Sequence, residues 1–231
     1  MKKYVYLLLL IFICTSAQAQ YRNLRLGVSV EPLSVSFMDS NTPIITSDGN
    51  NFSSSAFIKA EYYFSPFFSL ASGVGMTINQ GGKLVYKEGG DVWKDSELIP
   101  TSLHNLPQDV ELRSSIQYLE IPVALKMRTD EIGKFRIFFE VPRITIGVTT
   151  RARGTAESPD FKEENQNIYP SMSWMNLSYG VMGGVEYSLT EDISAIIGLN
   201  WKQGFVDITD DSGVDARITS GTFGLHAGIL F

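Results

Sequence analysis

The stretch IQYLEIPVALKMR, residues 116–128, alternates apolar and polar residues almost without a fault. A period of two is the mark of a β-strand with two unlike faces. Here Ile116, Leu119, Ile121, Val123, Leu125 and Met127 are assigned to one face, against Tyr118, Glu120, Pro122, Ala124, Lys126 and Arg128 on the other. Either the apolar face fills a core and the charges meet water, or the apolar face meets lipid and the charges are enclosed. The two arrangements give unrelated proteins.

Similar alternation recurs in eight stretches, near residues 22–37, 54–64, 67–79, 115–128, 135–150, 174–188, 193–205 and 218–231. Their lengths suit a tilted transmembrane strand of about 9 to 11 residues better than the globular mean of about 5 to 6. No segment after Gln20 offers the ~18 apolar residues of a membrane helix. The connections after even-numbered stretches are short: Ser65–Pro66, Thr129–Lys134 and Leu189–Asp192. Those after odd-numbered stretches are long: Met38–Ser53, Gln80–Ser114, Arg151–Ser173 and Val206–Arg217. Strict alternation of short turns and long loops is the economy of a barrel whose strands enter and leave a membrane. The expected fold is therefore all-β: an eight-stranded antiparallel up-and-down transmembrane β-barrel.

Side-chain volume decides which face looks inward. A narrow barrel has room inside only if many inward residues are small. The small residues Gly27, Ser29, Gly73, Gly75, Gly180, Gly184, Gly198, Gly224 and Gly228 share a face with the charges, while large apolar residues lie opposite. The expected lumen network is Arg25, Glu31, Lys59, Glu61, Glu120, Lys126, Arg136, Glu140, Arg143, Glu186, Lys202 and His226. Both signs are present, so the charges can compensate one another in a plug. Alternation slips at Pro32 and Pro142, which predicts a β-bulge at each, because proline cannot donate to the ladder. Tyr62, Phe64, Phe67, Phe68, Phe135, Tyr187 and Phe231 fall near the short turns, and Phe37, Trp174, Trp201 and Phe205 near the long loops, as two interfacial girdles.

Residues 1–19 read as a cleaved secretory signal peptide: Lys2 and Lys3, an apolar run from Tyr4 to Ile13, and Ala17-Gln18-Ala19 before Gln20. The barrel domain is then residues 20–231. Cleavage removes the only cysteine, Cys14, so no disulfide is expected, and it takes the formal charge from −6 to −8. An acidic chain without a basic stretch argues against a nucleic-acid partner.

With the export signal, the eight strands and YLEIPVALK at Tyr118–Lys126 in view, the chain resembles the PorT-like outer-membrane β-barrel family of Bacteroidota. The resemblance spans the mature chain, with its sharpest motif in that single strand. It implies a small outer-membrane barrel, and through the family's namesake a link to secretion of cell-surface proteins.

Candidate chemistry is sparse. His104 falls in the longest expected loop, and His226 is expected to be a lumen hydrogen-bond partner. The acidic stretch Asp207–Asp215 does not match a calcium-loop spacing, and INQGG at Ile78–Gly82 lacks the lysine and helix of a phosphate cradle. Arg151, Arg153 and Lys162 are candidates for touching lipid phosphates. No catalytic residue, cofactor or metal site is predicted. The expected function is a small non-enzymatic outer-membrane barrel with a charged, plugged lumen and long extracellular loops, serving as a structural or interaction component accessory to secretion or surface assembly. The expected partners are outer-membrane lipid and a protein bound through the loops, with the chain itself a monomer. A lipid-modifying barrel enzyme and a soluble periplasmic lipid-binding barrel stand as alternatives.

Overall fold

The alternating stretches form nine strands in the computed structural model, which describes residues 23–92, 103–210 and 216–231. The expected leader lies outside the described residues, as do parts of the two loops at 93–102 and 211–215. The strands are β1 (Leu24–Ser40), β2 (Ile45–Tyr63), β3 (Phe68–Tyr86), β4 (Val110–Arg128), β5 (Phe135–Ser158), β6 (Phe161–Asn167), β7 (Met175–Ser188), β8 (Ser194–Gly204) and β9 (Ile218–Leu230). Eight of them pair antiparallel around a closed ring, with β1 on β9 and β4 on β5 completing the circuit. The ninth, β6, is a short hairpin arm on the far end of β5.

Closure leaves no strand edge within the wall, so the backbone polar groups there are satisfied internally, as a bilayer demands. The exterior decides the solvent. Ile58 is 65% exposed, Leu199 50%, Leu225 49% and Ile121 43%, and similar apolar side chains surround them on neighbouring strands. In water an apolar surface this continuous is an association hazard; around a closed barrel it is the lipid-facing band of an outer-membrane protein. The chain is an outer-membrane β-barrel. Aromatic side chains edge the band, with Phe64 stacked on Phe68 and Phe135 against Tyr187 near the short turns, and Tyr179 against Trp201 and Phe205 near the opposite rim.

Both proline bulges form. Register shifts between Glu31 and Ser34 on β1, and between Glu140 and Arg143 on β5, so Pro32 with Leu33, and Val141 with Pro142, sit outward together. Each extra residue keeps the charge before it and the polar residue after it on the inner face.

Three expectations need correction. Much of the predicted loop Met38–Ser53 is strand, because β1 and β2 run on to within four residues of each other. Likewise β3, β4 and β5 continue well past their expected ends, and β6 occupies part of the segment taken as loop. Finally, Ile116 is buried on the inner face rather than sharing the lipid face with Leu119. One cause explains all three. Beyond the membrane the pleat continues but the hydrophobicity inverts: on β4, Glu111, Arg113, Ser115 and Gln117 turn outward to water while Val110, Leu112 and Ile116 turn inward. A reading that holds one parity for each strand takes this inversion for its end.

The inward apolar residues of these extensions form a second core above the lumen. Leu84, Tyr86, Val110, Leu112, Ile116, Ala152 and Ala156 from the tall strands pack with Val92, Leu103, Leu106, Ile168, Met172 and Ile208 from the connections that fold over them. One wall, β2 to β6, rises above the rest, and the connections lean onto it.

Candidate functional site within the lumen

Alternation sends every second side chain of each strand into the barrel, and small cross-strand neighbours give the long ones room. Lys59 lies between Gly27 and Gly73, Glu120 between Gly75 and Gly147, Lys202 beside Gly180, and His226 beside Gly198. A Cβ at Gly73 would come within 2.6 Å of the Ile58 carbonyl oxygen, and one at Gly180 within 2.2 Å of the Trp201 carbonyl oxygen. The glycines therefore let the walls approach as well as freeing space.

The charges form a continuous ladder. Starting at the turn end, Arg25 Nη1 donates to Glu186 Oε1 at 2.6 Å, and Lys126 Nζ lies 3.4 Å from Glu186 Oε2. Lys126 Nζ also donates to both oxygens of Glu61, at 2.9 and 2.8 Å, while the Tyr63 hydroxyl donates to Glu61 Oε2 at 2.6 Å. Lys59 Nζ stands 3.8 Å from Glu61 and donates to Glu140 Oε1 at 3.0 Å, whose other oxygen accepts from Arg143 Nη1 at 3.0 Å. Arg143 Nη2 then lies 3.9 Å from Glu31, which accepts from Asn200 Nδ2 at 3.0 Å and meets His226 Nδ1 at 3.3 Å. A separate arm joins Lys202 to Glu120, which accepts from Thr77 Oγ1 at 2.8 Å, itself 2.9 Å from Ser55 Oγ.

Burial is nearly complete: Glu61 is fully buried, and Lys126 and His226 are each 1% exposed. An isolated charge there would cost several kcal/mol, so the ladder is tolerable only because each charge faces an opposite one with further hydrogen bonds. Apolar side chains flank it. Beside its turn-end half Phe138, Met182, Ile196 and Leu230 cluster, with Met182 opposite Glu140, Ile196 opposite Glu186 and Lys126 Nζ 4.8 Å from the Phe138 ring centre. Toward the loops lies the apolar core of the strand extensions.

The structure brings eleven of the twelve expected network residues into this ladder and its arm. Arg136 stands apart at the turn-end mouth, where it donates to Ser188 Oγ at 3.0 Å and pairs with Glu131. Arg128, Tyr63, Asn200, Thr77 and Ser55 join the ladder although they were not singled out. Arg128 and Tyr63 were already on the polar faces by parity, and that signal was enough to find them. The two apolar clusters carried no such signal, since their residues interrupt the polar face.

Outside the lumen, His104 Nδ1 lies 3.3 Å from Asp91 Oδ1, which also accepts from the Asn105 backbone N–H at 2.8 Å. Among the described residues neither histidine hydrogen-bonds a hydroxyl or a thiol. The acidic stretch from Asp207 is described only to residue 210. Asp207 Oδ1 there accepts from the Thr209 backbone N–H at 3.0 Å and from the Ile218 backbone N–H at 3.1 Å, so this carboxylate closes a turn. In INQGG, Gly81 (φ +140°) exchanges two hydrogen bonds with Ser36, and a Cβ there would strike the Ser114 carbonyl at 2.2 Å. The glycine serves the wall.

No protein-family model matches the chain, and no curated protein matches it either. Among solved structures, it is similar to Neisserial surface protein A (14% identity over 90% of this chain and 95% of that one, TM-score 0.43). It is likewise similar to Ail, the attachment invasion locus protein of Yersinia pestis (14%, 90% and 99%, TM-score 0.43), and to OprG of Pseudomonas aeruginosa (11%, 90% and 96%, TM-score 0.40).

Proposed function

We propose that this chain is a non-enzymatic outer-membrane barrel with a plugged lumen, whose role is to hold a rigid outer rim for a protein partner. The observation that carries the reading is the filling of the wall: a compensated ionic ladder with an apolar cluster packed beside it, capped toward the loops by an apolar core. Ions or solutes crossing such a lumen would have to displace paired charges and then an apolar core. The tall wall of β2 to β6 places ordered strands, rather than loose loops, above the membrane. A task in protein secretion or surface assembly follows from the PorT-like resemblance of Tyr118–Lys126. The reading is tested by incorporating the mature protein into planar bilayers and recording current at both polarities. Silence is expected, and a steady ohmic conductance from correctly folded barrel would refute the plug.

A further inference from the structure

We propose that the outward face of β4 and β5 just beyond the apolar band binds the phosphate-bearing headgroup of an outer-leaflet lipid. The groove there has a volume of about 370 Å³ and is lined by Arg113, Arg151 and Arg153 together with neutral polar side chains, and by no acid. In a chain whose formal charge is −6, this concentration of cations is a local exception.

The arginines are not consumed by the protein. Among the described residues Arg113 and Arg151 make no ion pair or side-chain hydrogen bond. Arg153 uses Nη1 to donate to the Asn165 carbonyl at 3.0 Å, which fixes its guanidinium over the groove and leaves its buried Nε unpaired. The acids further out are engaged elsewhere: Glu111 with Lys83 at 3.2 Å, and Glu157 and Glu164 with Lys162 at 3.5 and 2.7 Å. Three like charges held together with no acid paired to them repel one another, and an anion that accepts several N–H donors relieves that repulsion.

Height selects a lipid. The last apolar row across these strands is Leu119 opposite Val148, and the rows beyond it are Gln117 with Arg151, Ser115 with Arg153, and Arg113 with Thr155. Two residues advance a strand by about 6–7 Å, and the headgroup zone adds roughly 5–7 Å to each side of the hydrocarbon core. Arg151 therefore stands where lipid phosphates lie, while Arg153 and Arg113 reach outward along a larger headgroup. Ile78 borders the same groove from β3 and joins it to the apolar band, where acyl chains would run. On the neighbouring strand β7 the rim carries Trp174 and Tyr179, with Phe205 against Tyr179, so the cationic groove is confined to β4 and β5.

The test uses the mature protein in maltoside micelles and native mass spectrometry with three probes: diphosphoryl lipid A, the same lipid without phosphates, and inorganic phosphate. Saturable binding of the phosphorylated lipid is expected, weakened at least about tenfold by combined R113Q, R151Q and R153Q, since each charge-assisted contact contributes on that scale. K134Q, at an exposed short turn on the other side of the apolar band, should leave binding unchanged. Heat-modifiable gel mobility reports folding for every variant; if the triple variant fails to fold, R113Q and R151Q singly carry the comparison. Undiminished binding by folded arginine variants, equal binding of the phosphate-free lipid, or equal saturation by inorganic phosphate would each overturn the proposal. Conductance is independent of all three outcomes, so a failure here is distinguishable from a failure of the plug.

Discussion

Replacing Lys126 by methionine removes one charge from the centre of the ladder while keeping the length of the side chain. Lys126 Nζ donates to both oxygens of Glu61 and lies 3.4 Å from Glu186. Glu186 keeps Arg25 at 2.6 Å and Arg128 at 3.6 Å, so the group left undercompensated is Glu61. That carboxylate retains the Tyr63 hydroxyl at 2.6 Å and a more distant Lys59 at 3.8 Å. Breaking a buried pair costs about 3–5 kcal/mol, and the partners remaining to Glu61 place this case near the lower end, about 3 kcal/mol. The equilibrium constant for folding should fall by more than about a hundredfold. Adding Glu61→Gln removes the stranded charge, so the double variant should be more stable than Lys126→Met alone, with a coupling of about 0.5–3 kcal/mol. Reversible urea unfolding in lipid vesicles, followed by tryptophan fluorescence, measures Lys126→Met, Glu61→Gln and the double variant. A cost below about 1 kcal/mol for Lys126→Met, or strict additivity in the double variant, would refute the claim that the ladder is buried and compensated.

Further outcomes follow from the wall. Arginine at Leu199, exposed in the band opposite Leu225, should cost about 2–4 kcal/mol in the same assay, and arginine at Phe205 near the rim less than about 1; equal costs would contradict the placement of the band. Gly184→Ala would put a Cβ 2.2 Å from the Ile197 carbonyl oxygen and 2.6 Å from Gly198 Cα, so heat-modifiable folding should be largely lost. Gly133→Ala meets nothing within 4 Å but needs a φ of +69°, so it should fold at a cost of about 1–2 kcal/mol. Brominated acyl chains should quench Trp174, which is 65% exposed at the loop-side rim, and quenching should weaken as the bromine moves toward the bilayer centre.

Strand number, barrel closure and the choice of inward face were legible in the chain because alternation is a local property: each residue's facing follows from its neighbour's. Glycine and serine on the same face as the charges settled which face was enclosed, and Pro32 and Pro142 marked where the count slips. Who pairs with whom was not legible. Arg25 and Glu186 are 161 residues apart and Glu31 and His226 195 apart, and only register and closure bring them together. The ends of β2 to β5 were hidden for another reason. Outside the bilayer water replaces lipid, so the same pleat demands the opposite pattern, and Ile116 was assigned to the wrong face. The arginine groove is also tertiary: Arg113 and Arg151 sit on different strands, two rows apart, and line one groove only once β4 and β5 pair in register. Sequence by itself determined a two-faced wall with its charges turned inward, because facing is set residue by residue; tertiary structure alone decided the ionic partners, the apolar clusters and the outer rim, because these depend on contacts between distant strands.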